Sequence, residues 1–114
     1  MKDLEMVSFK VISTAGAAKS MFMESIQAAR QNDFDKAQSL IEEGEKMRIK
    51  GHEAHFELIQ KEASGESVEP NLLLIHAEDQ LMASETIKIL AEEVIENLKR
   101  IVALEALVQN LPTT

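Results

Sequence analysis

His76 and Asp79 stand three residues apart, an imidazole and a carboxylate. On a helix that spacing projects both side chains from one face. There the carboxylate can fix the tautomer of the ring and leave the other nitrogen free to act as a nucleophile. A His and an Asp at this separation also arise by chance, so the pair alone does not distinguish a reactive site from a structural one. Following Ile101, Leu98, Val94, Leu90, Ile87 and Ala83 backward carries one apolar stripe to Asp79 and His76, which predicts that both lie in line with the core. A carboxylate in such a place needs a partner, a proton or a cation to offset its lost hydration.

A second candidate is His52-x-x-His55, which could supply two ligands to zinc or nickel. A metal site would need further ligands brought in by the fold, His76 among them, and histidines that are structural or face solvent are the simpler reading. Other chemistry is poorly represented. The chain has no cysteine, which removes disulfides and thiolates, and it carries no Gly-rich phosphate loop, serine-hydrolase elbow or H-E-x-x-H motif. Against 12 Lys and Arg stand 20 Asp and Glu, a formal charge of −8, and neither Trp nor Tyr is present. That balance repels phosphate backbones and offers few platforms for stacked bases, so nucleic acid is not an expected partner. The acidic residues of MKDLEMVSFK do not suit a signal peptide, and Leu72 to Ile75 is the longest aliphatic run before the C-terminal region. The expectation is a cytoplasmic protein that does not enter a membrane.

The elements that must position these groups are helices. In a chain of 114 residues with 45% hydrophobic content, two prolines and four glycines, apolar residues recur at alternating three and four positions. Residues 1–114 are therefore read as a single all-α domain, a short antiparallel three-helix bundle. The first helix is predicted from Leu4 to Gln31, with its stripe through Leu4, Val7, Val11, Ala18, Phe22, Ile26 and Ala29. Asp33 is placed to cap a second, whose buried side is Phe34, Ala37, Leu40, Ile41, Gly44, Gly51, Leu58 and Ile59. Gly44 and Gly51 share a face, which fits either a seam where another helix comes close or a tolerated weakness. A third helix is predicted from about Pro70 to Asn110, and its roughly 40 residues span about 60 Å. That is longer than its neighbours, and Ile101 to Val108 is apolar nearly all round, which predicts self-association.

The segment LLLIHAEDQLMAS, residues 72–84, resembles the phosphorylation-site helix of the lactose/cellobiose IIA family of the sugar phosphotransferase system, usually written with H-x-Q-D-H-L-M. Here it reads H-A-E-D-Q-L-M. The resemblance continues through EASGE at Glu62 to Glu66, AGAAKS at Ala15 to Ser20 and NDFDKAQSL at Asn32 to Leu40, and so covers nearly the whole chain. It implies that His76 is the phosphoryl acceptor, as a tele-phosphohistidine, taking phosphate from HPr and passing it to a cysteine of a IIB component during uptake of a β-linked disaccharide. Phosphoryl transfer asks mainly for in-line positioning and charge stabilisation, and a neutral imidazole nitrogen suffices as acceptor.

The resemblance further implies a homotrimer, a nine-helix bundle in which Asp79 meets its symmetry mates near the three-fold axis. At 4 Å each pair of carboxylates would repel by roughly 4 kcal/mol at an effective dielectric of 20, so shared protons or a hard divalent cation such as Mg2+ should be required. No organic cofactor is implied. Two departures bear on the site: Glu78 stands for the usual glutamine and Gln80 for the usual second histidine. Gln80, one turn beyond His76, could support the ring or a phosphoryl oxygen, and Glu78 is expected to face water. The family has a histidine matching His52, but a glutamine and a threonine at the positions of His55 and Phe56. The methionines, including Met21, Met23, Met47 and Met82, are read mostly as core filler. A competing reading is a non-catalytic helical interaction module, in which the ionisable stripe only fixes oligomeric register.

Overall fold

The computed structural model describes residues 2–112. Three helices carry the chain: α1 over Lys2–Arg30, α2 over Phe34–Ala63 and α3 over Leu72–Gln109. The α1–α2 turn is tight because Asn32 adopts a left-handed conformation at φ 65°, which asparagine tolerates better than most residues. The Asp33 side chain then accepts the Lys36 amide at 3.1 Å and caps α2, as its sequence position predicts. At the other connection Gly65, at φ 98°, supplies the turn that no side-chain-bearing residue adopts easily. The start of α3 differs from expectation. Pro70 lies before the helix, and Asn71 caps it by accepting the Leu74 amide at 2.8 Å.

Short connections set α2 antiparallel to α1 and α3, and α1 packs against both of them. Leu4, Leu58 and Leu74 pack together at one end, Val11, Ala54, Ala77 and Leu81 in the middle, and Phe22, Ile41, Ala91 and Ile95 towards the other end. The α1 stripe is as predicted, with Val7 and Ile26 partly buried and the other five buried. Gly44 and Gly51 do mark a seam. A Cβ on Gly44 would sit 2.5 Å from Phe22 Cε1, and one on Gly51 would sit 2.6 Å from Thr14 Oγ1, so both glycines admit α1. Ile59, expected inside, is exposed.

The larger correction concerns α3. Its inward line is Leu74, Ala77, Leu81, Ser84, Ala91 and Ile95, whereas Leu90 and Ile101 of the predicted stripe are exposed and Ala83, Ile87, Val94 and Leu98 are only half-buried. The helix has two apolar faces. Periodicity found one of them, and small residues, Ala77, Ser84 and Ala91, fill the one packed against α1 and α2. The second face is uncovered: Leu72, Ile75, Met82, Ile89 and Leu90 are exposed, and so are Ile101, Leu104, Leu107 and Val108 where α3 runs on past α1 and α2. That overhang, predicted from helix length, stretches the molecule to 74 × 20 × 19 Å.

Candidate functional site

The phosphorylation-site helix of the resemblance is the first half of α3, and the 3.6-residue turn orders its side chains around the axis. Asp79 points away from the intrachain core. Relative to it, His76 lies roughly 60° and Gln80 roughly 100° to the side facing α1, while Glu78 lies roughly 100° to the other side, facing α2. The contacts agree with this arrangement, since Gln80 is bonded from α1 and Glu78 from α2.

His76 and Asp79 are both exposed, not in line with the core, because the stripe they share is the uncovered one. Among the described residues no hydrogen bond or ion pair joins them, so the expected orientation of the ring by Asp79 is not made within one chain. The ring of His76 is open on a face otherwise occupied by Ile75, Leu72 and Met82, which leaves its nitrogens accessible to a docking protein.

Gln80 is half-buried, and its carbonyl oxygen accepts a hydrogen bond from Lys19 Nζ across the α1–α3 groove. Sequence reasoning placed Gln80 beside His76 but missed Lys19, although Lys19 belongs to AGAAKS. Glu78 is exposed as expected, but its Oε1 also lies 2.8 Å from His55 Nε2. His55 and Glu78, two departures from the resembled pattern on different helices, therefore face each other. The pair borders a groove of about 550 Å³ between α2 and the start of α3, which Ile59, Glu62 and Ile75 also line. His52 points to solvent and stacks on Phe56 at a centroid distance of 6.4 Å. The structure does not bring His52, His55 and His76 into one site, and among the described residues no three His, Asp or Glu side chains form a metal-binding group.

Farther along α3 an ionic cluster ties the helices. Arg48 holds Glu45 through two bonds, Nε to Oε2 at 2.7 Å among them, and reaches Glu85 Oε1 at 3.1 Å, while Lys88 lies 3.6 Å from Glu45 and from Glu92. The Arg48 hydrogen bonds hold the Glu45 carboxyl below the ordinary glutamate range, against the opposing effect of partial burial. Of the methionines, Met47 packs on the core, but Met6, Met23 and Met82 are exposed, so the core-filler reading fails for these three. No described helix is long and apolar enough to cross a membrane.

Residues 6–99 match the sequence profile of the PTS system, Lactose/Cellobiose specific IIA subunit. The chain is 34% identical over 99 residues to the PTS system lactose-specific EIIA component of Staphylococcus aureus (strain N315), covering 87% of this chain and 96% of that protein. It superposes on the crystal structure of the PTS cellobiose specific enzyme IIA from Bacillus anthracis with a TM-score of 0.87 and 38% identity, over 90% of this chain and 94% of the other. The IIA(Chitobiose) solution structure, solved in complex with HPr, aligns with a TM-score of 0.77 and 26% identity, over 86% of this chain and 95% of that one.

Proposed function

The chain belongs to the lactose/cellobiose-specific IIA family of the phosphotransferase system, and from that premise we propose that His76 is the residue that carries its phosphoryl group. It is a IIA component of lactose/cellobiose type, a phosphotransferase. The observation that supports His76 is its exposed ring on the family's phosphorylation-site helix, flanked by apolar side chains that a partner could cover. The donor is HPr, a reading supported by the HPr complex of the chitobiose relative, and the acceptor, as the family resemblance implies, is the thiol of a IIB component. In each transfer the bond from phosphorus to the donor atom breaks as the bond to the incoming atom forms. The protein's part is to hold the ring in line and shield the charge.

The uncovered face of α3 supports self-association, which we read as a homotrimer; the cytoplasm is the compartment that the family reading implies. Asp79 stands at the middle of that face, opposite the intrachain core, so a three-fold seam centred there would gather three carboxylates and leave His76 at its edge. One chain supplies one of these oxygen ligands, and three copies suit a hard cation such as Mg2+, which would neutralise their repulsion.

Incubation with phosphoenolpyruvate, enzyme I and HPr tests the assignment. One acid-labile phosphoryl group should be gained per chain, and His76→Gln should lose it while keeping its helicity. Label that persists in the variant would refute His76 as carrier.

A further inference from the structure

Three cations on the described chain are half-buried: Lys19, Arg48 and Lys88. Two of them are neutralised, Arg48 by Glu45 and Glu85, and Lys88 by Glu45 and Glu92. Lys19 has no carboxylate within ion-pair distance among the described residues. Its ammonium donates instead to the neutral Gln80 amide oxygen. In a chain with 20 acidic residues and 12 basic ones, a partly desolvated cation kept apart from the carboxylates of the described residues is conspicuous.

The location of that cation suggests which anion it awaits. Gln80 lies one turn past His76, an axial rise of about 6 Å, and about 40° from it around α3 on the side facing α1. Lys19 reaches Gln80 from α1, so its ammonium is held on the same side of α3 as His76 by an anchor that adds no negative charge. We propose that Lys19 is the counter-cation of the phosphorylated imidazole: held by Gln80 in the resting protein, it pairs with the phosphoryl oxygens once His76 carries the group. The Lys19 bond to the Gln80 oxygen also turns the amide N–H groups outward, so that Gln80 can donate to the same phosphoryl group. Lys19 forms no covalent bond and moves no proton. It stabilises charge on a phosphoryl group whose bond to the donor breaks as its bond to His76 forms.

This inference rests on His76 being the acceptor, so the test begins with wild type and His76→Gln. Lys19→Met and Lys19→Arg are then compared for phosphoryl transfer from HPr, for the equilibrium between the two phosphoproteins and for folded content by circular dichroism. The Met variant should transfer about ten- to a hundredfold more slowly and shift the equilibrium towards phospho-HPr, while Arg, keeping the charge, should stay close to wild type. The Lys19 ammonium resonance of the wild-type protein should move on phosphorylation, a readout that does not depend on how a variant folds. A Met variant with wild-type rate and equilibrium, an Arg variant as impaired as Met, or an unmoved Lys19 resonance would each overturn the role. Label that survives His76→Gln overturns both the acceptor and its counter-cation, whereas label that requires His76 but ignores the charge at position 19 overturns the counter-cation alone.

Discussion

His55 on α2 and Glu78 on α3 meet across the bundle with 2.8 Å between Nε2 and Oε1. The contact is solvent-accessible, so its coupling energy should be about 0.2–1 kcal/mol. Urea unfolding of His55→Gln, Glu78→Gln and the double variant should show the double change costing less than the sum of the two single changes, by that coupling energy. Strict additivity would mean that the two side chains do not interact.

At Gly44 the close approach of Phe22 dictates a direction that helix propensity alone would reverse. Alanine is the better helix former by about 1 kcal/mol, yet its methyl would meet the fully buried Phe22 ring at 2.5 Å. Overpacking of roughly 1–3 kcal/mol outweighs that gain, so Gly44→Ala should lower stability by up to about 2 kcal/mol, measured by chemical denaturation. A stabilised variant would show that the seam is loose.

Much of this architecture is legible in the residues themselves. Asp33 marks its helix start, the α1 stripe is written in Leu4, Val11, Ala18 and Phe22, and the length of α3 predicts its overhang. The buried face of α3 is not legible, because Leu72, Ile75, Met82 and Ile89 compete with Leu74, Ala77, Leu81 and Ile95 at the same period, and only the partner helices decide between them. The misplacement of His76 and Asp79 follows from that choice. Lys19 and the His55–Glu78 pair join residues 61 and 23 positions apart, which no local pattern reports.

Acid should loosen the Glu45 cluster. Its carboxyl titrates lower in the folded chain than in the unfolded one because Arg48 bonds favour the charged form. The stabilisation is therefore present above the ordinary glutamate pKa, near 4.3, and is lost as pH falls from there through the lower folded value. Glu45→Gln should flatten this part of the stability profile, and thermal unfolding between pH 3 and 6, roughly the span set by that pKa, will show it. An unchanged slope would mean that the Glu45 carboxyl does not carry this acid sensitivity.

Covering the outer face of α3 should depend on its apolar residues. Wild-type protein is expected to sediment as a trimer, and Leu104→Lys, which puts a charge on an exposed leucine of the overhang, should shift it to monomers. A buried leucine is worth roughly 1.5–3 kcal/mol in each copy, enough to weaken assembly well over tenfold. If Mg2+ is held by three Asp79 carboxylates, it should raise the melting temperature of wild type and leave that of Asp79→Asn unchanged. Monomeric wild-type protein would refute the trimer, and a Mg2+ effect that survives Asp79→Asn would place the ion elsewhere.

Of the chain's three imidazoles, His76 is the one assigned the phosphate. Nitrogen NMR of protein with 15N-labelled histidine rings, recorded before and after phosphorylation through HPr, reads His52, His55 and His76 separately. The ring of His76 alone should become phosphorylated, at Nε2, and revert when a IIB component is added. Phosphorylation of His52 or His55, or three unchanged rings beside a fully active HPr, would contradict that assignment.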